Sequence, residues 1–443
     1  MAKKTKSDIL KLVKERKVKF VRLWFTDVLG FPKGFAITMD ELEGALDEGM
    51  GFDGSSIEGF ARIAESDMFL KPDLKTFAII PWQEDHNKSA RIICDVMTPN
   101  GGNFVGDPRA VLRTNLEDAK KKGFEFNVGP ELEFFFFPKS ESGEVLTVPT
   151  DAGGYFDFTA DSASHVRMEI ANAAVSFGIE VEASHHEVAN GQHEIDFKYC
   201  DALTAADNVI TLKYIIKAIA EKYNLHACFM PKPIYGTAGN GMHVHQSLSD
   251  GKNNLFFDKK DKYGLSKIVK RFIAGQLHAA PGICAVMSPL VNSYKRLVSG
   301  FEAPVYLTWA RINRSALIRV PKFASKESAR IELRSPDPSC NPYLAFSVML
   351  AAGLNGIAEK LDPPKPVEEN IYEMADKERK LRRIRTLPDS LGAAIREFGK
   401  SKVAQSALGE HVYERFVEAR QLEWNEYKIQ VTQWEHDNYL GKY

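Results

Sequence analysis

Cysteine is scarce. The five in 443 residues, Cys94, Cys200, Cys228, Cys284 and Cys340, are odd in number and widely scattered, which excludes a disulfide framework or a cysteine-based zinc site. Reduced thiols, and hence a cytoplasmic protein, are expected. Long apolar runs are missing too: no stretch approaches the roughly eighteen residues of a membrane span, and the basic start MAKKTKSDIL is followed by no apolar segment of the secretory kind. Nor is there an excess of charge of one sign. Lys plus Arg number 58 against 59 Asp plus Glu, a net charge of −1, so there is no general attraction to nucleic acid or membrane and any charged ligand must be handled locally. A Walker-type phosphate loop, a GxGxxG turn, a Ser-His-Asp order and internal repeats are all absent, which disfavours the common nucleotide-binding and serine-hydrolase folds. What remains is ordinary, at 44% apolar and 26% charged, and long enough for two or three domains around a large core.

Periodicity divides the chain. A helix over 8–16 and a half-buried strand over 18–26 open a small mixed domain. It runs through GFDGSSIEGF, TFAIIPW and SARIICDVM to the Gly-, Asn- and Pro-rich MTPNGGNFVGDP, where a boundary is placed near residue 104 (domains 1–104 and 105–443). A helix over 108–123 comes next, with Asp107 as N-cap, Pro108 at its first position and Gly123 as its C-cap. Further helices are expected over 162–177, 202–223 and 267–280, and the tail from 388 reads as mostly amphipathic helix. DPPKPVEEN reads as the clearest internal linker. Strands and helices are mixed rather than alternating, which suits an α+β fold better than a doubly wound parallel sheet.

The chemistry-bearing residues recur two apart in strand-like segments: Glu131 and Glu133 in GPELEFFFF, His243 and His245 in GNGMHVHQSL, and Arg330, Glu332 and Arg334 in ARIELRSPDP. On a strand, residues two apart project from one face, so each segment aims its polar groups at one surface and buries the alternate residues. In ASHHEVANGQHEIDF, Glu187 and Glu194 bracket an Asn190-Gly191 turn that would return the second carboxylate beside the first. If Glu131, Glu133, Glu187, Glu194, Glu332 and His243 converge, five carboxylates and one imidazole make a hard, oxygen-rich ligand set that suits magnesium or manganese rather than structural zinc. Arg296, Arg311, Arg314, Arg319, Arg330 and Arg334 form a second, cationic group among apolar strand residues. Guanidinium forks facing a di-metal site read as an ATP-dependent transferase or ligase.

These strings, with DGSS, NSYKRL, FEAP and NRSALIR, resemble the bacterial type I glutamine synthetases along nearly the whole chain and in the family's order. The resemblance implies a small N-terminal β-grasp-like domain and a larger catalytic domain with a curved antiparallel sheet and flanking helices. It implies a dodecamer of two stacked hexameric rings, with active sites shared between neighbouring subunits. It further implies ATP-dependent amidation of L-glutamate by ammonium through γ-glutamyl phosphate, with two or three Mg²⁺ or Mn²⁺ ions per site. By the same similarity, Glu131, Glu332 and His243 would hold the ion nearer the ATP phosphates, and Glu133, Glu187 and Glu194 the other. Glu182, His245, Ser247, Arg314, Arg319 and Arg330 would contact ATP. Gly239, Arg296, Glu302 and Arg334 would contact glutamate, with Glu302 also shielding the acyl phosphate. Asp53, Tyr155 and Glu187 would form the ammonium pocket, and Asp53, Glu302 and Arg314 would act in catalysis.

The same resemblance bears on departures and regulation. Ala238 in TAGNGMH stands where many relatives place a substrate-touching Asn. Tyr372 in ENIYEM aligns with a tyrosine adenylylated in one subtype, but its surroundings differ and no adenylylation is expected. Arg62 resembles the arginine that mediates glutamine feedback in the shorter subtype. The tail QWEHDNYLGKY resembles one that contacts nitrogen-responsive transcription regulators, and an oligomer contact remains the alternative reading of it. Two rival functions stay open: ligation of γ-glutamate to a polyamine or other amine, and a catalytically silent nitrogen sensor or scaffold.

Overall fold

The computed structural model describes residues 4–55, 67–84, 86–300 and 303–443. The chain starts with helix α1 (Lys6–Glu15), which opens with a reciprocal cap in which Thr5 and Asp8 satisfy each other's backbone N–H groups. Strands β1 (Phe20–Thr26) and β2 (Pro32–Thr38), helix α2 (Leu42–Glu48), and strands β3 (Met50–Asp53), β4 (Asp67–Pro72), β5 (Ala78–Ile79) and β6 (Ser89–Met97) complete the first unit. Their sheet runs β2-β1-β6-β4-β3, with β5 on β6 and only β1 and β6 parallel among its pairs. Its core is a cluster of its own, including Ile9, Leu23, Leu70, Phe77 and Ile92.

Helix α3 (Pro108–Lys121) leads into the larger unit. Its start was legible in the sequence: the Asp107 carboxylate accepts from the N–H of Arg109 at 2.9 Å, Pro108 needs no partner, and Gly123 takes φ +84° just past the end. The 14-residue β7 (Glu125–Pro138) is next. After it come α4 (Ser164–Ser176), β8 (Val181–His186), β9 (Gln192–Phe197), β10 (Cys200–Asp201), α5 (Ala202–Lys222), β11 (Leu225–Cys228) and β12 (Val244–Ser249). The rest comprises α6 (Lys267–Met287), α7 (Ser293–Arg296), β13 (Tyr306–Ala310), β14 (Ala316–Arg319), β15 (Ile331–Leu333), α8 (Pro342–Ala358), α9 (Asp376–Leu381), α10 (Leu391–Phe398) and α11 (Lys402–Tyr427). The second sheet is ordered β13-β14-β15-β12-β7-β9-β8, with β10 and β11 also on β7, and is antiparallel except between β13 and β14. One face lies on α3, α5 and α6, with α8 packed against those helices, which leaves the other for chemistry. Helices α6 and α8 meet at glycines: a Cβ on Gly275 would stand 2.2 Å from the Ala352 carbonyl oxygen, so no larger residue fits that crossing.

Two local expectations fail. The α6 helix does not end before Pro281 but runs through it to Met287. Proline removes one backbone hydrogen bond at a cost of about 3 kcal/mol, but Ile283 and Met287 beyond it are fully buried and each returns about 1.5–3 kcal/mol. DPPKPVEEN is not a free linker. It is strapped to β13 by Trp309 Nε1, which donates to the Pro364 carbonyl at 2.7 Å, and by the Val367 N–H, which donates to the Trp309 carbonyl at 3.0 Å. All five cysteines are free thiols, and among the described residues no helix is long and apolar enough to cross a membrane.

The two sheets are joined through buried charge. The Arg109 guanidinium, 2% exposed, donates to Asp207 at 2.9 and 3.0 Å, to Asp73 at 2.7 Å and to Asp95 at 2.5 Å, and the Tyr343 hydroxyl also donates to Asp207 at 2.7 Å. Asp73 and Asp95 belong to the first sheet's unit, Asp207 and Tyr343 to α5 and α8 of the second. Arg109→Ala would take the guanidinium from Asp73 and Asp207 and leave Asp95 with Arg113 alone, and is expected to lower stability by about 3–5 kcal/mol, read as a lower thermal unfolding midpoint. An unchanged midpoint would mean that the network does not hold the units together.

Candidate active site

Strand β7 lies in the middle of the second sheet, and its period of two does the sorting: Glu131 and Glu133 face one way while Leu132 and Phe134 are fully buried on the other. Across β9, Glu131 stands opposite Asp196 and Glu133 opposite Glu194. On the other side, His245 is opposite Gly129 of β7 and Glu332 of β15, and His243 immediately precedes β12. The Asn190-Gly191 turn does reverse the chain: β8 and β9 form a hairpin in which His185 faces Glu194, and the Glu187 N–H donates to the Gln192 carbonyl at 2.8 Å. Gly191 sits at φ +71°, the left-handed backbone such a turn requires.

Two clusters with metal-ligand geometry result. Ligand atoms of Glu131, His243 and Glu332 all lie within 4.8 Å of one another, and so do those of His185, Glu194 and Asp196. His243 Nδ1 is 3.1 Å from Glu131 Oε2 and 3.8 Å from Glu332 Oε1. The Arg330 Nε–H donates to His245 Nδ1 at 3.2 Å, so His245 carries its proton on Nε2 and donates it to Glu131 Oε1 at 2.7 Å. Glu133 and Glu187 adjoin the second cluster, with His185 Nδ1 3.8 Å from Glu187 Oε1 and Nε2 3.1 Å from Glu194 Oε1.

Electrostatics separate these carboxylates. Burial opposes ionisation of Glu131, yet hydrogen bonds from His243 and His245 hold it well below the usual carboxylate range. Glu332 is likewise buried but held down by His245 and Arg334. Burial together with the Glu187 charge pushes Glu133 up to about 8, and burial with the Glu131 charge pushes Asp196 up to about 8. Burial and the neighbouring Asp196 hold Glu194 well above its ordinary value. The protein's own cations do not balance so many carboxylates, and one oxygen, Asp196 Oδ1, is buried without a hydrogen-bond partner. Mostly oxygen donors with one or two imidazoles and an orphaned carboxylate oxygen fit hard divalent cations.

Two cavities flank the clusters. One of about 360 Å³ is lined by Glu131, Glu182, His245, Ser247, Asp196 and Arg330, a room suited to a nucleotide. A smaller space of about 40 Å³ lies between Glu133, Glu187, Gly239, Arg296 and Arg334. Both of these arginines are 5% exposed. Arg296 donates through Nη1 to the carbonyls of Ser335 and Pro336 at 2.8 and 3.3 Å and through Nη2 to that of Arg334 at 3.0 Å, which fixes its plane while leaving Nη2 a second hydrogen for a ligand. Arg334 donates to the Arg314 carbonyl and lies 3.2 Å from Glu332. Arg319 Nε donates to Glu332. Tyr155, 44% exposed, stacks on Phe156 and meets His185 edge-on, beside Glu187.

Arg311 stacks on Tyr263, with its guanidinium 4.9 Å from the ring centre, and Arg314 is exposed yet near enough to Tyr155 for its charge to act on that hydroxyl. Asp53 is exposed on β3, at the edge of the first sheet, where it accepts from the Ser55 N–H at 2.9 Å. Arg62 and Glu302 lie outside the described residues. Sequence reasoning passed over His185, Gln192 and Asp196. Asp196 stands two after Glu194 in a strand, the same signal that singled out Glu131 and Glu133; His185 precedes Glu187 by two.

Comparison with known proteins places this geometry. Residues 17–99 match the model described as glutamine synthetase, beta-grasp domain, and residues 105–439 the one described as glutamine synthetase, catalytic domain. The glutamine synthetase of Clostridium saccharobutylicum is 53% identical, with both chains covered in full, and that of Thermotoga maritima 52% identical over 98% of each. Among solved structures, a GmaS/ADP complex superposes with a TM-score of 0.88 at 32% identity, covering 98% of this chain and 99% of that one. The cryo-EM structure of Plasmodium falciparum glutamine synthetase gives 0.87 at 25% identity, with the same coverage.

Proposed function

This chain belongs to the glutamine synthetase family, and from that premise we propose that it amidates L-glutamate with ammonium at the expense of ATP, giving glutamine, ADP and phosphate. The observation that carries the reading is the convergence of Glu131, His243 and Glu332 beside His185, Glu194 and Asp196, between a nucleotide-sized cavity and one lined by Arg296 and Arg334.

Glu131, His243 and Glu332 would hold one divalent cation, and Glu133, Glu187 and Glu194, adjoined by His185 and Asp196, another; either Mg²⁺ or Mn²⁺ suits the donors, and a third ion would sit with the nucleotide. Such ions, when bound, offset carboxylate and phosphate charge. Glu182, His245, Ser247 and Arg330 line the nucleotide cavity. Arg314 and Arg319 would be donors to the transferred phosphoryl group, where negative charge spreads. Arg296, Arg334 and Gly239 would hold glutamate so that its γ-carboxylate oxygen attacks the terminal phosphorus and ADP leaves. Ammonium then surrenders a proton to Asp53, in a pocket formed with Tyr155 and Glu187, and the resulting ammonia displaces phosphate from γ-glutamyl phosphate. Glu302 would shield that acyl phosphate from water.

Because Asp53 is exposed at the edge of the other sheet, the reading requires a homo-oligomer in which one subunit's Asp53 completes its neighbour's site, and we assign two stacked hexameric rings. Arg62 is assigned to feedback inhibition by glutamine, and the tail 433–443 to contact with a nitrogen-responsive regulator. Glutamate-dependent phosphate release with ATP and Mg²⁺ or Mn²⁺, compared between ammonium and a panel of amines, tests the activity. Glutamine formed from ammonium is the expected result; turnover only with a bulky amine would make the chain a γ-glutamyl-amine ligase, and none with either would make it a scaffold. Arg62→Ala should leave turnover within about twofold and weaken glutamine inhibition by roughly tenfold; unchanged inhibition removes Arg62 from regulation.

A further inference from the structure

Gln192, the first residue of β9, is 1% exposed and borders the small space between the carboxylates and Arg296. Its amide nitrogen lies 3.0 Å from Glu133 Oε2, 3.2 Å from the Gly239 carbonyl oxygen and 3.2 Å from Asn240 Oδ1. A carboxamide has two hydrogens, so these three acceptors share two donors. Its own oxygen accepts from the Ala189 N–H at 3.2 Å, which fixes which end of the amide faces the site. Glu133 Oε2 also accepts from the Gly241 N–H at 2.7 Å. With that oxygen occupied by two amide donors, Oε1 is the one left facing His243, 3.9 Å from Nδ1.

The loop side is equally constrained. Asn240, fully buried, donates to the Met230 and Cys228 carbonyls at 2.9 and 3.3 Å. A Cβ on Gly239 would stand 2.3 Å from the Pro231 carbonyl oxygen. Bonds on several sides thus hold this loop, with the Gln192 amide linking its Gly239 and Asn240 oxygens to Glu133.

We propose that Gln192 is a positioning residue that ties the Glu133 carboxylate to the Gly239–Asn240 backbone, so that cation occupancy and glutamate binding are coupled through one side-chain amide. The inference rests on the glutamate and cation roles proposed above. A cation held by Glu133 would draw charge from Oε2, weaken it as an acceptor and turn the shared amide toward the Gly239 carbonyl, and a ligand at Gly239 would report back along the same bonds. Thermodynamic reciprocity then requires Mn²⁺ to change glutamate affinity by the factor by which glutamate changes that of Mn²⁺.

The test uses the purified full-length oligomer, with bound Mn²⁺ counted by electron paramagnetic resonance and glutamate binding followed by calorimetry with and without Mn²⁺, beside KM values for glutamate and ATP. Gln192→Leu keeps the volume and removes the donor; Gln192→Glu keeps the shape and replaces the donor with an acceptor, so one variant can stand in if the other folds poorly. Either is expected to weaken Mn²⁺ binding about 10-fold, as loss of a partner behind a metal ligand does, and to raise the glutamate KM about 10-fold. The ATP KM should stay within about twofold, and the effect of Mn²⁺ on glutamate affinity should vanish. Wild-type coupling in both variants overturns the proposal, as does a parallel rise in both KM values with a lowered melting temperature, the mark of general loosening. A wild-type protein that binds Mn²⁺ and glutamate with mutual enhancement yet makes no glutamine would sink the proposed activity and leave the coupling standing.

Discussion

Glu131→Gln is expected to cut glutamine formation by on the order of 10³-fold, the scale seen when a preorganised charge is removed from a polar active site. The substitution conserves volume, so packing against Leu132 and its neighbours should survive. What is lost is the formal charge between His243 and His245, two groups that the carboxylate accepts from at 3.1 and 2.7 Å. An amide in that place offers one oxygen where there were two, and its NH₂ meets an imidazole N–H head-on. Bound Mn²⁺ should fall in step with activity, and the thermal midpoint should not fall. A variant that turns over normally at saturating Mn²⁺ would remove Glu131 from the ligand set.

The second large effect is expected at Asp53→Ala, with amidation down by about 10²–10³-fold, the range of a lost general base, and ATP affinity within about twofold. Only the ammonium step uses this carboxylate, so glutamate-dependent ADP formation should outlast glutamine formation as the acyl phosphate is hydrolysed instead. Equal loss of nucleotide affinity would refute the assignment. The variant also tests where the site is. Within one chain Asp53 is exposed at the edge of the first sheet, whereas Glu131 lies mid-way across the second. Co-assembling Asp53→Ala subunits with Glu131→Gln subunits should restore activity, up to roughly a quarter of wild type for random mixing in a ring. No recovery would place both groups in a site built from a single subunit.

Much of this site was readable because strands impose a period of two. Glu131 with Glu133, and His243 with His245, declare a shared face by spacing alone, and the buried Val244 and Leu132 between them obey the same rule. Helix starts were equally local: Asp107 and Pro108 announce α3 because capping involves neighbours in sequence. Expectations failed where distant packing overruled a local preference. Pro281 should end a helix by its own chemistry, but α8 and the sheet bury the residues on its C-terminal side; the prolines of DPPKPVEEN suggest a loose linker, but Trp309 binds their backbone.

By itself the sequence determined which residue types were available, which of them share a strand face, and that the oxygen-rich set of Glu131, Glu133, Glu187, Glu194 and Glu332 has more negative charge than its neighbours balance. Only the tertiary structure decided which strands become neighbours. The order β15-β12-β7-β9-β8 brings Glu332, His243, Glu131, Glu194 and His185 to one surface, draws in Asp196, and places Gln192 between a carboxylate and a loop nearly fifty residues away. The reason is physical: side-chain direction is set by local backbone geometry, whereas cross-strand register is set by burial of the opposite, apolar face, a sum over contacts that no short stretch of chain contains.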